Sequence, residues 1–165
     1  MNQEYFTVEI ASKVTLGLLL KDMDTLAQLD TQNICTVPGV EDFWYGVVNF
    51  RGSLLWILDS DRFFNLELPR HKLPQKLTTL VVKNQQSGSE KQVAIVIQQL
   101  KGIVAIEPSC CQPVGDDVSP QLRQCCSTVA QIEIEAESPA SQTIYLLDGS
   151  ALLQQLHQQS MLVST

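Results

Sequence analysis

The chain has 165 residues, a formal charge of −7 and a 44% hydrophobic composition, enough for one domain with a substantial core and too little for two independent ones. Lys and Arg number 11 against 18 Asp and Glu, which argues against the clustered cationic surface that nucleic acid or an anionic membrane requires and leaves protein as the expected partner. No charged leader precedes a long apolar run, the apolar stretch Val14 to Leu20 is shorter than the ~20 residues that cross a bilayer, and five cysteines leave at least one thiol unpaired. A cytoplasmic protein with reduced thiols and no membrane insertion is therefore expected.

In chain order, Tyr5 to Ile10 alternates apolar and polar residues and predicts a strand, and Val14 to Leu20 predicts a second. Between Lys21 and Leu29 the apolar residues fall at mixed three- and four-residue steps, which fit a short helix or a twisted strand equally well. Thr31 to Phe43 reads as a loop punctuated by Pro38-Gly39. Gly46 to Asp59 is a hairpin: two apolar runs flank Arg51-Gly52, whose glycine can take a positive φ. Runs so continuously apolar predict strands covered on both faces, or nearly so. Asp59 or Ser60 is placed to cap a helical turn through Phe64. Pro69 and Pro74 fence a polar linker, and Leu77 to Lys83 with Gln92 to Ile97 predicts a second hairpin around the polar turn Asn84 to Glu90. Pro108, Pro113, Gly115 and Pro120 mark an irregular connection. Ser127 to Ile134 predicts a strand, Glu135 to Ser141 a loop, and Thr143 to Leu147 the last strand.

Two pairs of segments echo one another. Leu55 to Phe64 parallels Ile144 to Leu153, each an apolar strand, an Asp and a double apolar step. Gly17 to Leu29 parallels Ala94 to Ile106, with Leu26 over Ile103 and Leu29 over Ile106. The same order in both halves predicts two similar small β units packed together, each an almost closed five-stranded sheet.

Val37-Pro38-Gly39-Val40, then Gly46-Val47-Val48-Asn49-Phe50-Arg51-Gly52, then Leu58-Asp59, resembles the signature of CheW-like adaptor domains. The resemblance implies an all-β fold of two intertwined SH3-like five-stranded barrels in a single domain over residues 1–165. One subdomain would span about 14–80 with the hairpin 46–59 at its centre. The other would span 81–153 plus the N-terminal strand 4–10, with 154–165 as a helical tail. It also implies a non-enzymatic scaffold that couples a methyl-accepting chemoreceptor-like protein to a CheA-like histidine kinase. Carried over residue by residue, Asn49, Phe50, Arg51 and Gly52 face the kinase, and Leu26, Leu29, Leu100, Ile103 and Val104 line a groove for a receptor or regulator helix. The chain departs from the family pattern at Ile97-Gln98-Gln99, where a Val-Asp pair is usual, and at Trp56, where proline is frequent. Its Gln-rich, basic-poor composition is similar to CheW-like proteins of cyanobacterial phototaxis and type IV pilus motility, which adds a response regulator as a further partner.

Other chemistry is weakly supported. Cys110-Cys111 and Cys125-Cys126 are adjacent pairs, whereas structural zinc sites separate paired ligands by about two to four residues, so no metal and no cofactor are expected. His71 and His157 are the only histidines, and neither sits in a recognisable catalytic turn. The glycines form no phosphate-binding loop. Asp59 and Asp148 each end a strand before a helical turn, where capping explains them better than acid–base work. Arg51 admits two readings: a pair with a carboxylate of its own chain, or a partner-facing residue on a turn, where interaction residues concentrate. Trp56 reads as core.

Overall fold

The computed structural model describes residues 2–66, 73–86, 89–134 and 140–159. In chain order the strands and helices are β1 (Gln3–Glu9), β2 (Thr15–Leu19), β3 (Met23–Asp30), β4 (Trp44–Phe50), β5 (Ser53–Leu58), α1 (Ser60–Phe63), β6 (Lys76–Gln86), β7 (Ser89–Ile97), β8 (Gln99–Ile106), β9 (Cys111–Pro113), α2 (Pro120–Cys125), β10 (Thr128–Ile134), β11 (Ala140–Leu147) and α3 (Gly149–Gln159). The Pro69 side of the predicted linker, the Gly88 tip of the second hairpin, most of the Glu135 to Ser141 loop and the end of the tail lie outside the described residues.

The strands form two curled sheets. One has six strands in the order β8-β1-β2-β11-β10-β9, and the other five in the order β3-β6-β7-β5-β4. The chain changes sheet between β2 and β3, through a tight turn at Leu20–Asp22, and again between β7 and β8. β2 therefore sits in the first sheet beside β11, and β7 in the second beside β5. These two contacts are the parallel pairings, and they share a register. Ile57 and Leu58 face Ala94 and Ile95, while Leu146 and Leu147 face Gly17 and Leu18. Those are the positions that the sequence echoes superimpose, so the internal repeat is a repeat of structure: a parallel strand pair in each sheet, with the strand after which the helical turn begins ending in Asp59 or Asp148.

Both aspartates cap. The Asp59 carboxylate accepts the Arg62 backbone N–H at 3.2 Å, and Asp148 accepts those of Ser150 and Ala151 at 3.0 and 3.2 Å, each satisfying donors that a helix start leaves open. Asp61 adds a long-range tie: its carboxylate accepts the backbone N–H groups of Ala11 and Ser12 at 3.2 and 2.9 Å, pinning α1 of one sheet to the β1–β2 turn of the other.

Burial separates three apolar clusters, as the two-residue period of a strand dictates. Leu29, Val48, Leu55, Ile57, Val81 and Ala94 fill the inside of the five-stranded sheet, and Ile106, Ala130, Ile144 and Leu146 fill the inside of the six-stranded one. The opposite faces meet in a larger core holding Val8, Leu16, Leu18, Leu58, Leu80, Ile95 and Leu147, to which α3 contributes Leu152, Leu153 and Leu156. The residues from Lys21 to Leu29, which sequence left between helix and strand, form a turn and then β3, bulged between Met23 and Thr25. The mixed spacing is what such a bulge produces, because it resets which face each residue takes.

The Gly46 to Asp59 hairpin is present as β4 and β5 in register, with Phe50 opposite Ser53. Arg51 and Gly52 have φ of 51° and 80°, the two positive values of a turn whose twist matches its strands. One expectation fails: the hairpin is buried near its base but not at its tip, where Asn49, Arg51, Gly52, Ser53 and Leu54 are exposed. Beyond the end of the inter-sheet core, nothing covers the outer face of the turn.

Gly46 sits at a second bulge with φ of 143°, and a Cβ there would lie 2.3 Å from the Cys35 carbonyl oxygen, the partner to which Val47 donates across the seam. Gly46→Ala is expected to cost ~3 kcal/mol or more by forcing that seam apart, measured by denaturant unfolding; a loss under ~1 kcal/mol would show that the seam is dispensable.

Candidate functional site

The β4–β5 turn brings Asn49, Phe50, Arg51 and Gly52 into one exposed tip. Phe50 is half-buried against the interior of the five-stranded sheet, and the Arg51 guanidinium lies 4.8 Å from its ring centre. Arg51 Nη1 is 3.4 Å from Asp24 Oδ2. Asp24 is the extra residue of the β3 bulge, so this pair links the turn of β4 and β5 to the strand at the other end of the same sheet. With the Cys35–Val47 bridge, it closes the sheet on itself. Of the two readings open for Arg51, pairing within the chain is therefore realised, yet 62% of its side chain remains exposed. An ion pair so wet contributes ~0–1 kcal/mol; it orients the guanidinium without occupying it.

The five groove residues do not all share a surface. Leu29 is 9% exposed and belongs inside the five-stranded sheet, and Val104 packs inside the six-stranded one, so neither lines a groove between the two. The cause is strand geometry: Leu26 and Leu29, like Ile103 and Val104, are an odd number of residues apart and point to opposite faces. Leu26 packs at the margin of the inter-sheet core. Ile103, opposite Phe6, and Leu100, opposite Val8, lie on the face of the first sheet that carries this same core, and they are 57% and 41% exposed. Leu26, Leu100 and Ile103 thus sit on the two walls of the cleft between the sheets. Phe6, partly buried there, and Leu20, exposed at the crossover, were not singled out from sequence.

Leu54 was missed as well. It is 69% exposed, more than any other large hydrophobic described. A run of five apolar residues concealed it, but its cross-strand partner is the polar Asn49, and a polar residue opposite an apolar one at a hairpin tip is the available signal. Trp56 is half-buried, packed against the inter-sheet core and edge-on to Trp44 with ring centres 5.2 Å apart.

Groups with catalytic potential are placed otherwise. Tyr45 donates to Asp59; burial, then the Asp59 charge, holds the phenol well above its ordinary range, and burial raises Asp59 as well. His157 is exposed on α3, and His71 lies outside the described residues. Among those described, no three His, Cys, Asp or Glu side chains gather to hold a metal, and no helix is long and apolar enough to cross a membrane.

The site is thus a set of exposed side chains on a rigid β scaffold, the arrangement of a docking protein. The family model of the CheW-like domain matches residues 4–157. The crystal structure of the scaffolding protein TtCheW from Thermoanaerobacter tengcongensis superposes with a TM-score of 0.65 at 14% identity, over 90% of this chain and 90% of that one, a likeness of fold. No curated protein matches the sequence. The chain belongs to the CheW-like domain family, a family of non-enzymatic scaffolds in chemotaxis signalling.

The cysteines differ sharply in environment. Cys35 and Cys110 are exposed and Cys111 is intermediate; burial and then the neighbouring Cys110 raise the Cys111 thiol. Burial and then Asp148 push Cys125 up to about 12, and burial raises Cys126 strongly. In the native protein at pH 8, Cys35 and Cys110 are expected to react rapidly with a thiol reagent, and Cys125 and Cys126 only after unfolding. Because the folded pKa values of this buried pair exceed the unfolded ~8.5, their contribution to stability is whole below that pH and is lost as pH rises towards 12. Denaturation at pH 8 and pH 10.5 checks the sign, and a slope unchanged by Cys125→Ala with Cys126→Ala contradicts it.

Proposed function

We propose that this protein is a cytoplasmic adaptor that couples a chemoreceptor-like protein to a CheA-like histidine kinase, with Asn49, Phe50, Arg51 and Gly52 on the kinase-facing side. The observation that carries the reading is the tip itself. It combines an exposed guanidinium, held over Phe50 and steadied by Asp24, with a two-residue turn whose φ values fix its direction. Family membership supports the general role, and the pathway assigned here is motility controlled through phototaxis or type IV pili, with a response regulator as an additional partner.

The receptor or regulator side is assigned to the cleft between the sheets, where Leu26, Leu100 and Ile103, extended by Phe6 and Leu20, offer apolar anchors to an amphipathic helix. Leu29 and Val104 contribute to this surface only indirectly, by filling the interiors of the sheets that form its walls.

Arg51→Glu is expected to weaken kinase binding by ~2 kcal/mol or more, about thirtyfold, with the melting temperature within a few degrees of wild type. Calorimetric titration against the kinase decides it, and an unchanged affinity removes the assignment. Ile103→Glu is expected to abolish binding of the helix partner while preserving the fold and kinase affinity. Leu29→Glu buries an unpaired carboxylate and is expected to unfold the domain, losing both partners together. A folded Leu29→Glu protein would mean that the cleft is deeper than described.

A further inference from the structure

Leu54 lies one residue beyond the Ser53 that closes the β4–β5 turn, and it carries the largest exposed fraction among the described large hydrophobics. Strand alternation puts Leu54, Trp56 and Leu58 on one face of β5. Leu58 is fully buried in the inter-sheet core and Trp56 partly so, and Leu54 is 69% exposed. The core therefore runs out along this strand into solvent without a polar break. Across from Leu54 is Asn49, and across from Trp56 is the half-buried Val47.

Beside this strip is the one charge of the turn. Arg51 engages Asp24 through Nη1 alone, at 3.4 and 3.5 Å, and its remaining guanidinium donors meet no acceptor among the described residues. A guanidinium has five N–H donors in a planar fork suited to a carboxylate. The tip thus combines an apolar anchor with an unsatisfied cationic fork, and a complementary surface must offer an apolar hollow edged by a carboxylate.

We infer that Leu54, backed by Trp56, is the central apolar anchor of the kinase-facing surface and selects a partner surface that presents an apolar hollow beside an Asp or Glu. This rests on the kinase reading above and deepens it. Arg51 meets the partner's carboxylate, Leu54 enters the hollow, and Trp56 sets how far the anchor stands above the core. Water leaves the centre of the contact, which strengthens the charge pair at its side.

The test uses the whole protein and the full-length CheA-like kinase of the same organism, with Leu54→Ala, Leu54→Asp, Arg51→Glu and Trp56→Phe variants. Binding is followed by calorimetry and by tryptophan emission, with melting curves throughout. Leu54→Ala is expected to weaken binding about tenfold and Leu54→Asp a hundredfold or more, both with near-wild-type melting because the side chain is exposed. The wild-type emission is expected to shift blue on binding as Trp56 loses contact with water, and Trp56→Phe to lose that shift, since Trp44 is only 6% exposed already. If Arg51→Glu abolishes binding while both Leu54 variants bind as wild type, the anchor is overturned and the kinase reading stands. If the wild-type protein does not bind the kinase at all, the kinase reading falls and the anchor with it.

Discussion

The structure depends on two parallel strand contacts made by chain segments far apart in sequence. β2 is inserted beside β11 and β7 beside β5, each in the same register relative to the aspartate that follows the partner strand. Parallel strands cannot be joined by a tight turn, so such pairs require the chain to leave and return. Here it does so by changing sheets. Each sheet is completed by a strand delivered from the other side of a crossover, and neither sheet can close without the other's chain being in place. Asp61, reaching from α1 to the amides of Ala11 and Ser12, locks the crossing at one end, and Gln98 N–H donating to the Glu9 carbonyl at 2.7 Å locks it at the other.

This interlocking explains the division of the hydrophobic interior. A small closed sheet has room inside for a few side chains only, and the two interiors here are modest clusters. The larger share of apolar burial lies between the sheets, where β1, β2, β5, β6, β7 and the leucines of α3 converge. Apolar residues at the margin of that shared core are exposed wherever the sheets curve apart. Leu20, Leu100 and Ile103 lie at the cleft, and Leu54 lies where β5 runs past the end of the core. Docking surfaces on such a protein are continuations of its core, so they need no separate pocket and no catalytic constellation.

The tip of β4 and β5 shows how a surface residue is made rigid. Arg51 occupies a left-handed backbone conformation, φ 51°, which costs a non-glycine residue roughly 1–2 kcal/mol and is held by the adjoining strand register. Its side chain is then limited from below by Phe50 and from the side by Asp24. Little conformational entropy remains to be lost when a partner binds, and preorganisation of this kind contributes to affinity without adding contacts.

Much of this was legible in the amino-acid sequence alone: the all-β class, the central hairpin with its Arg51-Gly52 turn, the capping aspartates, and the internal repeat, whose aligned positions turn out to pair in the same register. Those features rest on local physics, since a two-residue period, a turn glycine and an N-cap oxygen act within a few residues of themselves. What only the tertiary structure decided concerns faces and edges. Sequence could not choose helix or strand for Lys21 to Leu29, because a bulge at Asp24 breaks the period by which strands are recognised. It could not tell that Leu29 and Val104 turn into sheet interiors while Leu26 and Ile103 turn towards the cleft, since a single bulge reassigns every residue beyond it. Nor could it separate exposed Leu54 from buried Leu55 and Ile57 in one apolar run, because exposure there is set by where the opposite sheet ends, a fact contributed by residues more than thirty positions away.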